Sequence, residues 1–285
     1  MTTPASITPC DFHGTPALRL TSGDGATAVV SLLGGQLLSW VPPGEKEQLF
    51  VGERAVFDGS KPIRGGVPVC FPQFADLGGL PKHGLLRTRR WEVSDQSQHN
   101  GCTLVSLVCG DDAASRAQWP HAFRAELTVA IEGERLDLEL SLTNPGEAPF
   151  AFTGALHTYL KVAEVEEVSL EGLYGLDYLD KLKDAAPTRE TAPSLVVDRE
   201  VDRIYYDCAR PLLLRDEQHT LGINAEGFSD VVVWNPWEGA EERFPDLAAK
   251  DFRRFLCVEA AVARQPVTVA PGEEWWGRQT VVVLS

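Results

Sequence analysis

Two residues of this chain stand out because they interrupt apolar, strand-like runs. His157 lies in Thr153-Gly-Ala-Leu-His-Thr-Tyr-Leu160, and Glu259 lies in Phe255-Leu-Cys-Val-Glu-Ala-Ala-Val262. A carboxylate in such a run is costly unless it is paired, protonated or facing a cavity. Imidazole titrates near neutral pH, so His157 is a candidate general acid. A buried neutral His with one hydrogen bond, and a Glu paired with an arginine, would account for the same residues without catalysis. Two loops add binding chemistry. In Lys61-Pro-Ile-Arg-Gly-Gly-Val-Pro-Val-Cys-Phe-Pro-Gln73, Arg64 offers a planar fork of donors for phosphate or sugar oxygens, and Gly65-Gly66 permits close backbone approach. In Gly79-Leu-Pro-Lys-His-Gly-Leu-Leu-Arg-Thr-Arg89, His83 and Arg87 could face one ligand. A structural turn and a surface loop explain these two segments equally well. Asp202 could accept hydrogen bonds from sugar hydroxyls, or be an acidic turn residue. Trp234 and Trp237 would line a sugar cleft or fill a core.

The elements that position these residues read as strands. Leu127, Val129 and Ile131 alternate with other residues, Glu132-Gly133-Glu134 breaks the run, and Leu136, Leu138, Leu140 and Leu142 resume it. That pattern predicts an antiparallel hairpin with one buried face. Similar runs predict strands at 28–33, 36–41, 91–94, 103–109, 150–162, 168–173, 212–215, 231–234, 255–261, 267–269 and 275–284. Two short helices are expected, 113–119 capped by Asp111-Asp112, and 247–252 opened by Pro245-Asp246. Many short strands and few helices indicate an all-β protein, a large antiparallel β-sandwich or barrel. No linker, repeat or low-complexity tract divides the chain, so residues 1–285 are read as one domain.

Composition narrows the function. With 285 residues, 44% hydrophobic and 24% charged, the chain is expected to fold around a large core. No apolar stretch approaches the roughly 18 residues of a membrane span, and the N-terminus lacks a signal-like pattern. The 6 cysteines have no Cys-x-x-Cys pair and no regular spacing, so free thiols in the cytoplasm are expected, without zinc or a disulfide framework. The net charge of −15 makes nucleic acid and anionic membranes poor partners. Against that background, residues 61–90 hold Lys61, Arg64, Lys82, Arg87, Arg89 and Arg90 with one acid, Asp76, giving +5 in that window and −20 elsewhere. Such a basic island suits a small anion, or merely balances the surface.

Taken in order, these segments resemble the aldose 1-epimerase (mutarotase) superfamily, in its hexose-6-phosphate branch, the glucose-6-phosphate 1-epimerases. The resemblance rests on Gly34-Gly35-Gln36, Pro62-Ile-Arg-Gly-Gly-Val-Pro68, Phe71-Pro72-Gln73, Pro81-Lys-His-Gly-Leu-Leu-Arg87, Leu156-His-Thr-Tyr159 and Tyr178-Leu-Asp-Lys181. It continues through Val201-Asp-Arg203, Val233-Trp-Asn-Pro-Trp237, Cys257-Val-Glu259 and Pro271-Gly272. It implies a β-supersandwich with an open cleft and no cofactor, acting on a hexose 6-phosphate; a monomer is expected. It assigns Glu259 as base and His157 as acid, and maps substrate contacts onto Arg64, Gln73, His83, Arg87 and Asp202. The expected reaction is opening of the sugar ring to the aldehyde, rotation about C1–C2 and closure on the other face. Acid and base are expected on facing strands about one sugar ring apart, with Arg64 and Arg87 converging on the phosphate. Two departures occur: Lys82-His-Gly-Leu-Leu-Arg87 replaces the family's Gln-His-Gly-Phe-Ala-Arg, and Glu238-Gly-Ala-Glu-Glu-Arg-Phe244 replaces a Lys-Ala pair, where Arg243 could substitute as a phosphate contact. A glycoside-cleaving enzyme using Asp202 and Glu259, or a non-catalytic sugar-binding module, is the alternative.

Overall fold

In the computed structural model, residues 4–183, 186–217 and 219–284 are described. They form three antiparallel sheets of four, eight and nine strands. The expected hairpin is present as Arg124–Glu132 paired with Arg135–Thr143, with Leu127 opposite Leu140 and Val129 opposite Leu138. Its inward residues are fully buried while the intervening ones are not, as a half-buried sheet requires. This hairpin lies in the nine-stranded sheet beside Glu274–Leu284. Opposite it lies the eight-stranded sheet, in the order Thr188–Arg189, Asp177–Asp180, Val201–Tyr205, Asp230–Asn235, Phe255–Val269, Phe150–Leu156 and Val69–Cys70. Tyr159–Lys161 also pairs with Phe255–Val269.

The central strands of the eight-stranded sheet are buried on both faces, and the two faces do different things. Leu256, Val258, Ala260 and Val262 face the shared core, together with Val231 and Val233. Cys257 and Ala261 point the other way, with Val232 and Trp234. That second face is the floor of a cleft. Near-continuous hydrophobicity is the mark of a strand covered on both sides, and it is why a single Glu in the run is conspicuous.

Several expected boundaries moved. The run 150–162 is two strands, Phe150–Leu156 and Tyr159–Lys161. At the gap, the His157 amide leaves the ladder to donate to the Pro68 carbonyl at 3.0 Å. Conversely, 255–261 and 267–269 belong to one strand, Phe255–Val269. The exposed stretch 264–266, which read as a break, is an irregularity opposite Thr153. The helix expected at 113–119 forms as Ala113–Gln118, with Asp112 and Ser115 exchanging capping hydrogen bonds. The helix expected at 247–252 is absent. The segment holds turns, flanked by a short helix Ala240–Arg243 and a 3₁₀ turn Asp251–Arg254. There Asp251 accepts from the Ala248 amide at 2.8 Å, while Asp246 binds Arg64 and does not cap a helix. Strands Ser6–Phe12, Thr15–Thr21, Asp177–Asp180, Val201–Tyr205 and Thr220–Glu226 lay outside the expected set.

Candidate active site

Strand register assembles the floor of the cleft. Leu156 pairs with Ala260, and Tyr159 with Cys257. The same register carried across the gap puts His157 directly opposite Glu259. Glu259 in turn pairs with Val232, and Val232 with Ile204. The next row along is Tyr159, Cys257, Trp234 and Asp202. Opposed residues on one face lie close enough for their side chains to meet, and here His157 Nε2 is 3.4 Å from Glu259 Oε1. The two therefore occupy adjacent strands in contact, and not facing strands one ring apart as expected. The register explains the difference, because it sets the two residues directly opposite each other on one face of the sheet.

Glu259 is 1% exposed, and its Oε2 has no hydrogen-bond partner. Burial, reinforced by the nearby Asp202 carboxylate, holds its carboxyl well above the ordinary range. His157 is boxed in: its ring stacks on Tyr159 with centroids 4.9 Å apart, and meets the edges of His83 at 5.2 Å and Trp234 at 5.9 Å. Its Nδ1 is buried without a partner. Burial, then the positive charges of Arg87 and Arg64, hold it well below the usual histidine range. Both shifts disfavour the charged forms, so burial opposes an isolated imidazolium–carboxylate pair in this floor.

Two loops close over this floor. The loop carrying Arg64 is held by the Gln36 side-chain amide, which donates to the carbonyls of Ile63 at 3.2 Å and Gly65 at 2.6 Å. Gly66 has φ +60°, and a Cβ there would lie 2.1 Å from the Leu37 carbonyl oxygen, so no other residue fits. Arg64 is not free. Its Nε and Nη2 donate to the two Asp246 carboxylate oxygens at 3.1 and 3.3 Å, and its Nη1 donates to the Tyr159 hydroxyl at 3.0 Å. In the second loop, the Ala75 amide donates to His83 Nδ1 at 3.3 Å, which leaves the ring proton of His83 on Nε2. Burial, then His157 and the neighbouring cations, depress the basicity of His83. Arg87 donates from Nη2 to the Lys82 carbonyl, while its Nε is buried with no partner.

The resulting cleft has a volume of about 430 Å³, within the usual range for a small-molecule site. Of the residues expected at a site, Arg64, His83, Arg87, His157, Asp202 and Glu259 all line it. Gln73 does not. Its amide nitrogen donates to the carbonyls of Ala75 and Leu80, and its oxygen accepts from the Leu80 amide, so it shapes the loop behind His83. Arg89 is also elsewhere, paired with Asp112 at 2.8 Å. Arg243 lines the cleft but is tied to Glu200 at 2.8 Å and to the Pro236 carbonyl at 2.9 Å. Trp234 lines the cleft, whereas Trp237 packs against Phe252. Tyr159, Lys181 and Asp246 were missed as site residues. Lys181 donates to Asp202 at 3.1 Å across the neighbouring strands. Among the described residues, Lys61, Lys82 and Arg87 are the cleft's cations in no ion pair with a carboxylate.

An imidazole and a carboxyl in contact on the floor of a cation-rimmed cleft can move protons on a small anionic ligand. Comparison with known proteins makes this specific: the aldose 1-epimerase family pattern matches residues 16–281, and the chain belongs to that family of epimerases. A protein of Cenchrus ciliaris, provisionally named a glucose-6-phosphate 1-epimerase, is 36% identical over 262 residues, spanning 88% of this chain and 79% of that protein. One of Escherichia coli with the same provisional name is 30% identical over 242 residues, spanning 84% and 80%. The crystal structure of a provisionally assigned mutarotase from Salmonella typhimurium superposes with a TM-score of 0.90 at 26% identity, covering 99% of this chain and 95% of that one. None of the helices among the described residues is long and apolar enough to cross a membrane.

Proposed function

We propose that this protein interconverts the α and β anomers of glucose 6-phosphate and related hexose 6-phosphates, with Glu259 and His157 as its acid–base pair. The observation that carries the reading is the 3.4 Å contact between His157 Nε2 and Glu259 Oε1 on the floor of a cation-rimmed cleft in a protein of net charge −15. In the working state the carboxylate takes the proton from the C1 hydroxyl while the imidazolium gives one to the ring oxygen, and the C1–O5 bond breaks. After rotation about C1–C2 the steps reverse on the other face, and both groups regain their starting protonation. The pair needs one shared proton throughout. Each group is worth about 10²–10⁴-fold.

Phosphate recognition falls to Arg87, Lys82 and Lys61, because they line the cleft without carboxylate partners. Arg64 keeps two N–H groups beyond those given to Asp246 and Tyr159, so it supports the same end of the cleft in a secondary way. Asp202, fixed by Lys181, and His83 face the sugar hydroxyls. Asp202 is in an ion pair, which favours this reading over glycoside cleavage with two free carboxyls. The cysteines are free thiols, which supports a reducing compartment, the cytoplasm. The test is anomer exchange of freshly dissolved α-glucose 6-phosphate followed by NMR with catalytic protein. An exchange rate equal to that of buffer alone refutes the assignment.

A further inference from the structure

The His157 imidazole presents Nε2 to Glu259 at 3.4 Å, while among the described residues no protein group bonds its buried Nδ1. A working histidine is ordinarily oriented by a hydrogen bond on its other ring nitrogen. His157 lacks that bond, and the last torsion of a histidine side chain is broad by itself. The plane of the ring is therefore set by what packs on it. Tyr159, two residues along the same strip of cleft floor, lies nearly parallel to it, with centroids 4.9 Å apart and an interplanar angle of 15°. His83 and Trp234 meet it at steep angles, 71° and 81°. Tyr159 is itself held at both ends. Its amide donates to the Gly66 carbonyl and its carbonyl accepts from the Phe50 amide, each at 3.0 Å. Its hydroxyl accepts from Arg64 Nη1 at 3.0 Å, and Arg64 gives Nε and Nη2 to the two oxygens of Asp246. A guanidinium is planar, so fixing two of its nitrogens on a carboxylate aims the third.

We propose that Tyr159 is a positioning residue for His157, and that the Asp246–Arg64 pair acts on catalysis through it, by tethering the Tyr159 hydroxyl so that its ring stays against the imidazole. This rests on the hexose 6-phosphate reading above and deepens it, by giving Arg64 a task besides ligand binding. Tyr159 moves no proton and touches no reacting atom. It fixes the direction in which Nε2 points. If its ring slides or tilts, the imidazole follows, and the acid leaves the line between Glu259 and the sugar. A misplacement of about 1 Å can cost about 10²-fold in rate. Two substitutions separate the parts of this device. Phe at 159 keeps a ring to stack and loses the tether, whereas Leu keeps an apolar filler in this buried place and loses the stack as well. A tyrosine that only filled the core would affect stability in both variants and leave the imidazole and the chemical step alone.

The test has one readout that needs activity and one that does not. The first is kcat and KM for anomer exchange of glucose 6-phosphate, by NMR, in Tyr159→Phe, Asp246→Asn and the double variant. Tyr159→Phe should lower kcat by about tenfold, less than a full 1 Å misplacement costs, with KM changing less than kcat. Asp246→Asn loosens the fork and should lower kcat in the same direction. The double variant should be no slower than Tyr159→Phe, because residues acting through one chain are not additive. The second readout is the set of His157 ring-proton signals in the ligand-free protein, assigned by their loss in His157→Gln. The stacked ring should shift them upfield in the parent, less so and with broader lines in Tyr159→Phe, and not at all in Tyr159→Leu. An unchanged kcat in Tyr159→Phe, a change confined to KM, additive losses in the double variant, or imidazole signals identical to the parent's each overturn the proposal. Failure of the unaltered protein to accelerate exchange overturns the functional reading beneath it, and the imidazole signals then decide whether Tyr159 orients His157. Should Tyr159→Leu not fold, Tyr159→Phe decides alone.

Discussion

Replacing Glu259 by Gln removes a proton acceptor and leaves the shape of the cleft floor nearly unchanged. The side chain is 1% exposed; among the described residues its Oε2 has no partner, and its ionic contact is His157 at 3.4 Å. Among the described residues, no arginine is in an ion pair with it. Loss of a general base costs about 10²–10⁴-fold in kcat, or about 3–5 kcal/mol of transition-state stabilisation. The loss should fall on kcat and leave KM nearly constant, because Gln keeps a carbonyl acceptor for the C1 hydroxyl. Stability should be equal or higher, since a carboxyl held above its ordinary range destabilises the fold as pH rises past about 4.5. The assay is saturation transfer between the two anomer signals of glucose 6-phosphate, with buffer alone to subtract spontaneous exchange, alongside thermal unfolding. The reasoning fails if Glu259→Gln unfolds several kcal/mol more easily while keeping proportionate activity. That pattern is the signature of a structural ion pair losing one member, and it would make the protein a sugar-binding module with a buried charge.

Much of this site was legible in the chain because polar residues interrupt apolar runs. His157 and Glu259 were visible for that reason, and the Leu127–Leu142 alternation gave the hairpin at once. What sequence could not show is which residues share a row. The contact of His157 with Glu259 depends on a register that continues across a two-residue gap in one strand. The Arg64–Asp246 pair joins positions 182 residues apart, and local pattern made Asp246 a helix-opening residue instead. Ser6–Phe12 was missed because its burial does not alternate: a sheet-edge strand has no fully covered face to impose period two. Val201–Tyr205 was missed because Asp202 and Arg203 broke its pattern. Asp202 does so by facing the cleft, so here the local rule fails at a residue of the candidate site. The long strand Phe255–Val269 was cut in two by exposed Arg264-Gln265-Pro266, where its partner strand carries the irregularity at Thr153.

Arg64→Ala strands the Asp246 carboxylate and the Tyr159 hydroxyl, so unfolding should become easier by about 3 kcal/mol, the low end for breaking a buried pair. Removing Asp246 as well, in Arg64→Ala/Asp246→Ala, should restore part of that, and an additive double variant would refute the pairing. Gly66→Ala forces a side chain into φ +60° and against the Leu37 carbonyl, costing more than the roughly 1–3 kcal/mol of backbone strain alone, with a drop in melting temperature as the measure. The last expectation concerns pH, and its sign follows from where each proton sits. His157 is held below its ordinary 6.5, so the folded state binds fewer protons there, and its contribution is lost as pH falls from 6.5. Glu259 is held above its ordinary 4.5, so the folded state binds more, and its contribution is lost as pH rises from 4.5. Between 4.5 and 6.5 the two slopes oppose each other, and the unaltered pair contributes little net pH dependence. Single variants should uncover the slopes separately. In Glu259→Gln stability should rise with pH across that window more steeply than in the parent, and in His157→Gln it should fall relative to the parent. Each change is bounded by one proton, about 1.4 kcal/mol per pH unit. Urea unfolding at a series of pH values reads both. If both variants tilt the curve the same way, the proton is not shared between these two residues, and the acid–base assignment falls with it.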